Sequence, residues 1–328
     1  MLEQRPLGRT GRTIPAIGLG CVTFGREIDQ DASFRILDYA VERGITFLDT
    51  AEAYGGGQAR TYRKSVLGVD DVREVSGEMS SSERILGRWL RARGGRAGVT
   101  ICTKVSTGGR PENIGRALAG SLERLGLDAV DVYKMHSPDP KTPIDETLAA
   151  LDAEVRAARI GVIGCSNYSA AELRQALEAS RARGYTRFEI TQPSYSLAAR
   201  EAEAELFPLC RAEQIAVTAY SPIAAGFLAG KYTPDRTRLP EGSRFHVIPG
   251  HVDVFFSERN FRVVERLRAK AAQLGLPMVR LALAWAMTHP DVTAVLIGAR
   301  ATDHIDNALA AWNMRLEPEL RAEMSAWD

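Results

Sequence analysis

AVDVYKMHSPDPKTPIDETLAALDAEVRAARIGVIGCSN, residues 129–167, reads as two short apolar runs around a helix-length amphipathic stretch. The runs are AVDVYKMH (129–136) and IGVIGCSN (160–167), each of strand length. Between them Ile144, Leu148, Leu151 and Val155 recur at helical spacing, and Thr142 before Pro143 marks the helix start. Strand, helix and strand in that order join parallel strands.

The same alternation continues in both directions. Apolar runs recur at IPAIGLGCV (14–22), ITFLDT (45–50), VTICTKV (99–105), FEITQPSY (188–195), IAVTAYSP (215–222) and VTAVLIGA (292–299). Phe34, Leu37 and Val41 share one helical face before Gly44, as do Leu118, Leu122 and Leu125 before Gly126. Eight such units in 328 residues fit an α/β fold of the closed (β/α)8 TIM barrel type better than an open sheet. No G-x-G-x-x-G follows an early strand to favour the open alternative. The opening MLEQRPLGRTGRTIPAIG, with its LG and TG turns, reads as an N-terminal β-hairpin plugging the barrel bottom. Residues 1–328 are expected to form a single barrel domain with long loops on the C-terminal face, 233–257 among them.

Composition excludes several function classes. Forty-two Lys and Arg against 41 Asp and Glu give a net charge of +1, so no nucleic acid or acidic surface is expected as a partner. Cys21, Cys102, Cys165 and Cys210 lie far apart without metal-type spacing. The N-terminus lacks a signal-type apolar core, and no run is long enough to span a membrane. The expectation is a soluble, cytoplasmic chain with reduced thiols. A metal-dependent barrel hydrolase needs clustered ligands, yet histidines 136, 246, 251, 289 and 304 offer no HxH pair, so no metal site is expected.

In a barrel, function gathers at the C-terminal ends of strands. Asp49 ends one run, Lys104 sits near the end of the next, and His136 closes the one after, while Tyr54 follows Asp49 in FLDTAEAYGGG (47–57). Each alone has a plain structural reading: a helix cap, a snorkelling lysine, a loop histidine, an exposed tyrosine. Together they supply the protein groups of a carbonyl reduction. The hydride must come from a cofactor. A phenol near pKa 10 is too weak an acid unless an ammonium stabilises its phenolate. Lys104 would do so, Asp49 would hold Lys104, and a neutral His136 would orient the carbonyl oxygen.

These motifs resemble the aldo-keto reductase family over nearly the whole chain. DTAEAYG resembles its Asp-to-Tyr signature, CTKV its lysine strand and DVYKMHSPD its histidine strand. The resemblance implies Asp49, Tyr54, Lys104 and His136 as catalytic residues, and reduction of an aldehyde or ketone, in one reading sugar-derived. GCSNYS and TQPSY imply that Ser166, Asn167 and Gln192 hold the nicotinamide carboxamide. TAYSPIAAGFLAGKY implies Tyr220 on the ring and Ser221, Gly226, Leu228, Gly230 and Lys231 near the pyrophosphate; its form leans toward the bacterial and channel-β-like branches. LIGARATDHIDNALAAW implies Gly298, Arg300, His304 and Asn307 at the adenosine end, with Arg300 favouring NADPH over NADH. A binding protein that senses cofactor redox state while docking on a partner stays open as the rival reading, as does a homo-oligomer.

Two departures from the family pattern stand out. About two dozen residues, roughly 59–81, are inserted after YGGG before Ser81-Ser82-Glu83 restores the pattern. The insertion is either a partial lid, with Arg60, Tyr62, Arg63 or Lys64 near a polar or anionic substrate, or a peripheral excursion or subunit contact. Ser137 stands where many relatives carry Trp, and Phe24 and Trp89 are candidate apolar contributors to the pocket, although Trp89 sits on a helix and reads as core.

Overall fold

The computed structural model describes residues 2–68, 74–96, 98–247 and 250–327. A hairpin of β1 (Gln4–Pro6) and β2 (Thr13–Pro15) precedes eight parallel strands. These are β3 (Ile17–Gly20), β4 (Phe47–Asp49), β5 (Thr100–Val105), β6 (Val130–Met135), β7 (Ile160–Ser166), β8 (Ile190–Gln192), β9 (Ala216–Ala219) and β10 (Ala294–Gly298). They close in the order β10–β3–β4–β5–β6–β7–β8–β9, so the sheet has no edge, and every expected run contains its barrel strand.

Helices cover the outside: α1 (Gln30–Glu42), α2 (Gly56–Tyr62), α3 (Ser81–Ala92), α4 (Pro111–Leu125), α5 (Ile144–Arg156), α6 (Ala170–Arg183) and α7 (Leu206–Glu213). After β9 come α8 (Arg244–Val247), α9 (Gly250–Phe255), α10 (Glu258–Leu274) and α11 (Met278–Met287); α12 (Thr302–Met314) and α13 (Pro318–Ser325) follow β10. α5 starts one residue later than its sequence signal, because Thr142 is turned back onto Asp139 and Pro143 becomes the cap. Phe24 and Trp89 both lie in the outer core, Trp89 donating its indole N–H to Asp38 at 2.8 Å. Neither faces an open pocket.

Alternation along each strand sorts side chains between the barrel interior and the helices. Leu7 and Ile14 of the hairpin pack with inward-facing Phe47, Cys102, Val132 and Ile190, which makes the hairpin a bottom plug. Two residues further along β4, β5 and β6, the same inward face carries Asp49, Lys104 and Lys134. An apolar floor therefore supports a charged layer just below the rim. All four cysteines are free and buried. Among the described residues no helix is long and apolar enough to cross a membrane.

Two rim connections are elaborate. The insertion continues α2 through a π-helical turn (Arg63–Leu67) and returns through Glu74–Ser80; its residues 69–73 lie outside the described ones. The return arm runs directly over the three glycines. A Cβ on Gly56 would overlap the Ser76 carbonyl oxygen and lie 2.6 Å from that of Gly25, so only glycine fits. The arm is also bonded to the β3–α1 loop, Ser76 N–H donating to Gly25 at 3.1 Å. The long loop after β9 holds two short helices and an aromatic cluster of its own, with Tyr232 and Phe245 stacked at 4.3 Å and Phe227 and Phe261 edge-on at 5.1 Å. That small core lets a long irregular segment keep one shape.

Candidate active site

Asp49, Lys104 and Lys134 form the buried centre of the barrel mouth. Register makes Cys102 the partner of Asp49 and Lys134 the partner of Lys104. The Lys104 ammonium donates to Asp49 Oδ1 at 2.5 Å and to the Thr50 carbonyl at 2.7 Å. Burial opposes a charged carboxylate here, but Lys104 and then Lys134 outweigh it and hold Asp49 at about 2. Burial likewise opposes the Lys104 ammonium, and Asp49 more than compensates, keeping its pKa above the ordinary lysine value.

Tyr54 is brought back over this pair by a turn in which its N–H donates to Ala51 at 3.0 Å. Its hydroxyl is 3.4 Å from the Lys104 ammonium, which also stands 4.7 Å from the ring centroid. The His136 ring meets Tyr54 edge-on at 5.4 Å. Burial, then the field of Lys104, depress His136 to about 3, so its imidazole is neutral at physiological pH. The phenol behaves differently from the sequence expectation. Lys104 does pull its pKa down, yet burial pushes harder, and the net direction is upward. Desolvation of the phenolate is the term that sequence could not weigh.

Two residues of this site carried no sequence signal that was used. Lys134 is fully buried and is the inward neighbour of His136, two positions earlier on one strand; strict alternation from the histidine would have flagged it. Ser106 places its hydroxyl 2.7 Å from His136 Nδ1. The loop carrying Ser106 is held by Glu52, whose Oε1 accepts the N–H groups of Ser106 at 2.5 Å and Thr107 at 3.0 Å. Glu52 thus links the acid-to-tyrosine segment to the histidine through one serine. A hydroxyl donating to Nδ1 leaves the ring proton on Nε2.

Beside the tyrosine, Asn167 donates to the His136 carbonyl at 2.8 Å and to Ser166 Oγ at 3.2 Å, and accepts from the Tyr220 hydroxyl at 2.8 Å. Ser166 Oγ donates to the Gln192 carbonyl at 2.8 Å. Gln192 points deeper, its amide shared between Lys134 at 2.9 Å and Asp49 at 3.3 Å. Asn167 and Ser221 adopt left-handed backbone (φ 61° and 54°), as do Ala224 and Ala225 (φ 50° and 54°). Such strain in non-glycine residues gathers at ligand sites.

The positions expected near the outer part of a cofactor differ in what they leave available. Amides of Gly226, Leu228 and Gly230 close turns within their own loop, and the Leu228 side chain is core. Lys231 keeps much of its surface in solvent, and partial desolvation followed by the charge of Arg300 lowers its pKa. Arg300 lies 3.5 Å from Glu27, which also pairs with Arg26 and, at 2.6 Å, with Arg244. One carboxylate therefore faces three arginines drawn from three loops, with Lys231 close by. Exposed Gly298 ends β10, and His304 Nδ1 accepts the Arg300 N–H at 3.2 Å. Asn307 instead bonds Arg280 of α11 and the Asp303 carbonyl. In the insertion, Arg63 is buried against Glu74, while Arg60, Tyr62 and Lys64 are exposed. Ser137 is exposed beside the histidine. Among the described residues no cluster of His, Cys, Asp or Glu is arranged to hold a metal.

Comparison with known proteins agrees with this architecture. The model of the Aldo/keto reductase family matches residues 16–328. The chain is 31% identical to the uncharacterized oxidoreductase YrpG of Bacillus subtilis (strain 168), covering 97% of this chain and 94% of that one. It is 29% identical to a probable voltage-gated potassium channel subunit beta of Oryza sativa subsp. japonica, over 99% and 96% of the two chains. An NADH-specific methylglyoxal reductase of Escherichia coli (strain K12) is 30% identical, over 96% and 95%.

Proposed function

The chain belongs to the aldo/keto reductase family, and from that premise we propose that it reduces an aldehyde or ketone to an alcohol with a nicotinamide cofactor, NADPH in preference to NADH. The observation that carries the reading is the Tyr54 hydroxyl 3.4 Å from an ammonium that Asp49 holds at 2.5 Å, with neutral His136 alongside. When bound, the cofactor supplies a hydride to the carbonyl carbon.

Tyr54 gives its proton to the carbonyl oxygen as that oxygen becomes an alkoxide. An alkoxide is about as basic as hydroxide (the pKa of bulk water is about 15.7), so a phenol with a raised pKa remains a competent donor. Lys104 then holds the phenolate until a proton returns from solvent. His136, fixed through Nδ1 by Ser106, turns Nε2–H toward the same oxygen and orients it. Asp49 keeps Lys104 charged throughout.

The residues fit such a cofactor. Left-handed backbone at Asn167 and Ser221 surrounds the Ser166–Asn167–Tyr220 amide and hydroxyl groups, which suit a carboxamide. Three arginines and Lys231 around a single glutamate leave an excess of positive charge that suits phosphates, and Arg300 suits a 2′-phosphate. Exposed Ser137, Arg60 and Lys64 support a polar substrate such as a sugar-derived carbonyl.

The test is steady-state NADPH consumption against a panel of aldehydes, ketones and keto-sugars, with NADH in parallel. Carbonyl-dependent turnover, faster with NADPH, is expected. A fluorescence change on cofactor binding with no turnover for any carbonyl would instead support a redox-sensing binding protein.

A further inference from the structure

Lys134 is a second lysine inside the barrel that none of the steps above uses. It is fully buried on β6, in register beside Lys104 on β5. Two like charges on neighbouring strands repel strongly away from water. What lies between them is Asp49: Oδ1 accepts Lys104 at 2.5 Å, and Oδ2 accepts Lys134 at 3.3 Å. Lys134 also donates to Gln192 Oε1 at 2.9 Å and Thr218 Oγ1 at 3.2 Å, which engages all three of its protons. Packing alone does not explain a charge here, since an apolar chain of similar size would fill the space without desolvation cost.

We propose that Lys134 is a positioning residue that sets the charge of the proton-delivery site: by taking one oxygen of Asp49, it leaves Lys104 to stabilise the Tyr54 phenolate. This deepens the proposed function and rests on it. With neutral Tyr54, the two lysines and Asp49 sum to +1; with phenolate they sum to zero. Without Lys134 the same step would run from zero to −1 in a buried site, which is the costlier change. The other titratable groups around the cluster do not disturb this count. Burial raises the thiols of Cys21 beside β3, Cys102 on β5 and Cys165 on β7, and lowers His136 just after β6, so all four are neutral in the working range. Gln192 and Thr218, from β8 and β9, carry no charge.

The experiment is the pH profile of alcohol oxidation with NADP, the direction in which Tyr54 must start as phenolate, in wild type and in Lys134→Met. The ascending limb is expected to move up by at least about one pH unit, and oxidation at neutral pH to fall roughly tenfold per unit. Reduction, which starts from neutral phenol, should fall by a smaller factor than oxidation does. Lys134→Gln keeps a hydrogen-bond donor without the charge and should show the same displacement, so poor folding of the Met variant does not end the test. A second readout needs no turnover: ultraviolet titration of tyrosinate, with Tyr54→Phe subtracted in each background. Coincident Tyr54 titrations with and without Lys134 overturn the proposal. If no carbonyl is reduced by the wild type, the reductase reading fails, and the ultraviolet titration still decides the role of Lys134.

Discussion

The two charged clusters of this molecule are built on opposite terms. In the barrel mouth, Asp49, Lys104 and Lys134 stand on three adjacent strands, fully buried, each in direct contact with a counter-charge. At the rim, Glu27 is shared by Arg26, Arg244 and Arg300 on three loops, with about half of the Arg300 side chain exposed. The first cluster is buried, and removing Asp49 leaves two ammonium groups with no water to take up their charge. The second is only partly screened, since Arg26, Glu27 and Arg244 are largely covered, but its half-exposed Arg300 can change partners at a smaller cost. Under the proposed function, chemistry that needs fixed protonation states suits the first, and recognition of an anionic cofactor suits the second.

The sharpest way to break this contrast is Asp49→Asn. It leaves two facing ammonium groups, and urea unfolding should record a loss of about 3–5 kcal/mol, the range for breaking a buried pair. The carboxylate has a depressed native pKa of about 2, so its contribution is present above its ordinary value near 3.8 and is lost as pH falls through 2. The variant should lack that acid limb. A stable, active Asp49→Asn protein would mean that the buried cluster is as exchangeable as the rim.

A smaller effect is expected at the rim. Arg300→Ala should raise the KM for NADPH by about 10- to 150-fold, as loss of a charge-assisted hydrogen bond of about 1.5–3 kcal/mol implies, while the KM for NADH stays nearly constant. Equal losses with both cofactors would remove the 2′-phosphate assignment. Ser106→Ala comes next, lowering kcat by several-fold with little change in KM, because it frees the His136 ring without removing it. In both proteins kcat for reduction should be flat through pH 6.5, since His136 is neutral down to about 3; a limb near 6.5 would show that the imidazole titrates. Glu27→Gln should have the smallest effect, tightening NADPH about twofold at low salt by releasing Arg300 and Arg244, and less at high salt.

The barrel itself was legible because its signal is local: each apolar run and its following helix can be read within a few turns of chain. Asp49, Tyr54, Lys104 and His136 were legible because they end runs or follow one closely. Lys134 was missed by attention to run ends, where the inward alternation shared with His136 holds the information. Glu27 and Ser106 belong to no motif, and apart from Arg26 beside Glu27 their partners lie far away in sequence. The glycines 55–57 mark the start of the insertion in the sequence, but the steric reason for Gly56 is Ser76, twenty residues later, and Gly55 and Gly57 are crowded by Ser81 and Gly77. Arg63, one of four residues offered to substrate by the lid reading, is paired with a buried Glu74. The direction of the Tyr54 pKa depends on burial, which no spacing reports.

The most direct test of the central claim is single-turnover reduction under saturating NADPH, comparing wild type with Tyr54→Phe. Loss of the phenol proton should slow the chemical step by about 10²–10⁴, the usual contribution of a positioned general acid, with the cofactor dissociation constant unchanged. A Tyr54→Phe protein that reduces its carbonyl at the wild-type rate would contradict the assignment of Tyr54 as proton donor and with it the reading of the buried cluster as a proton-delivery site.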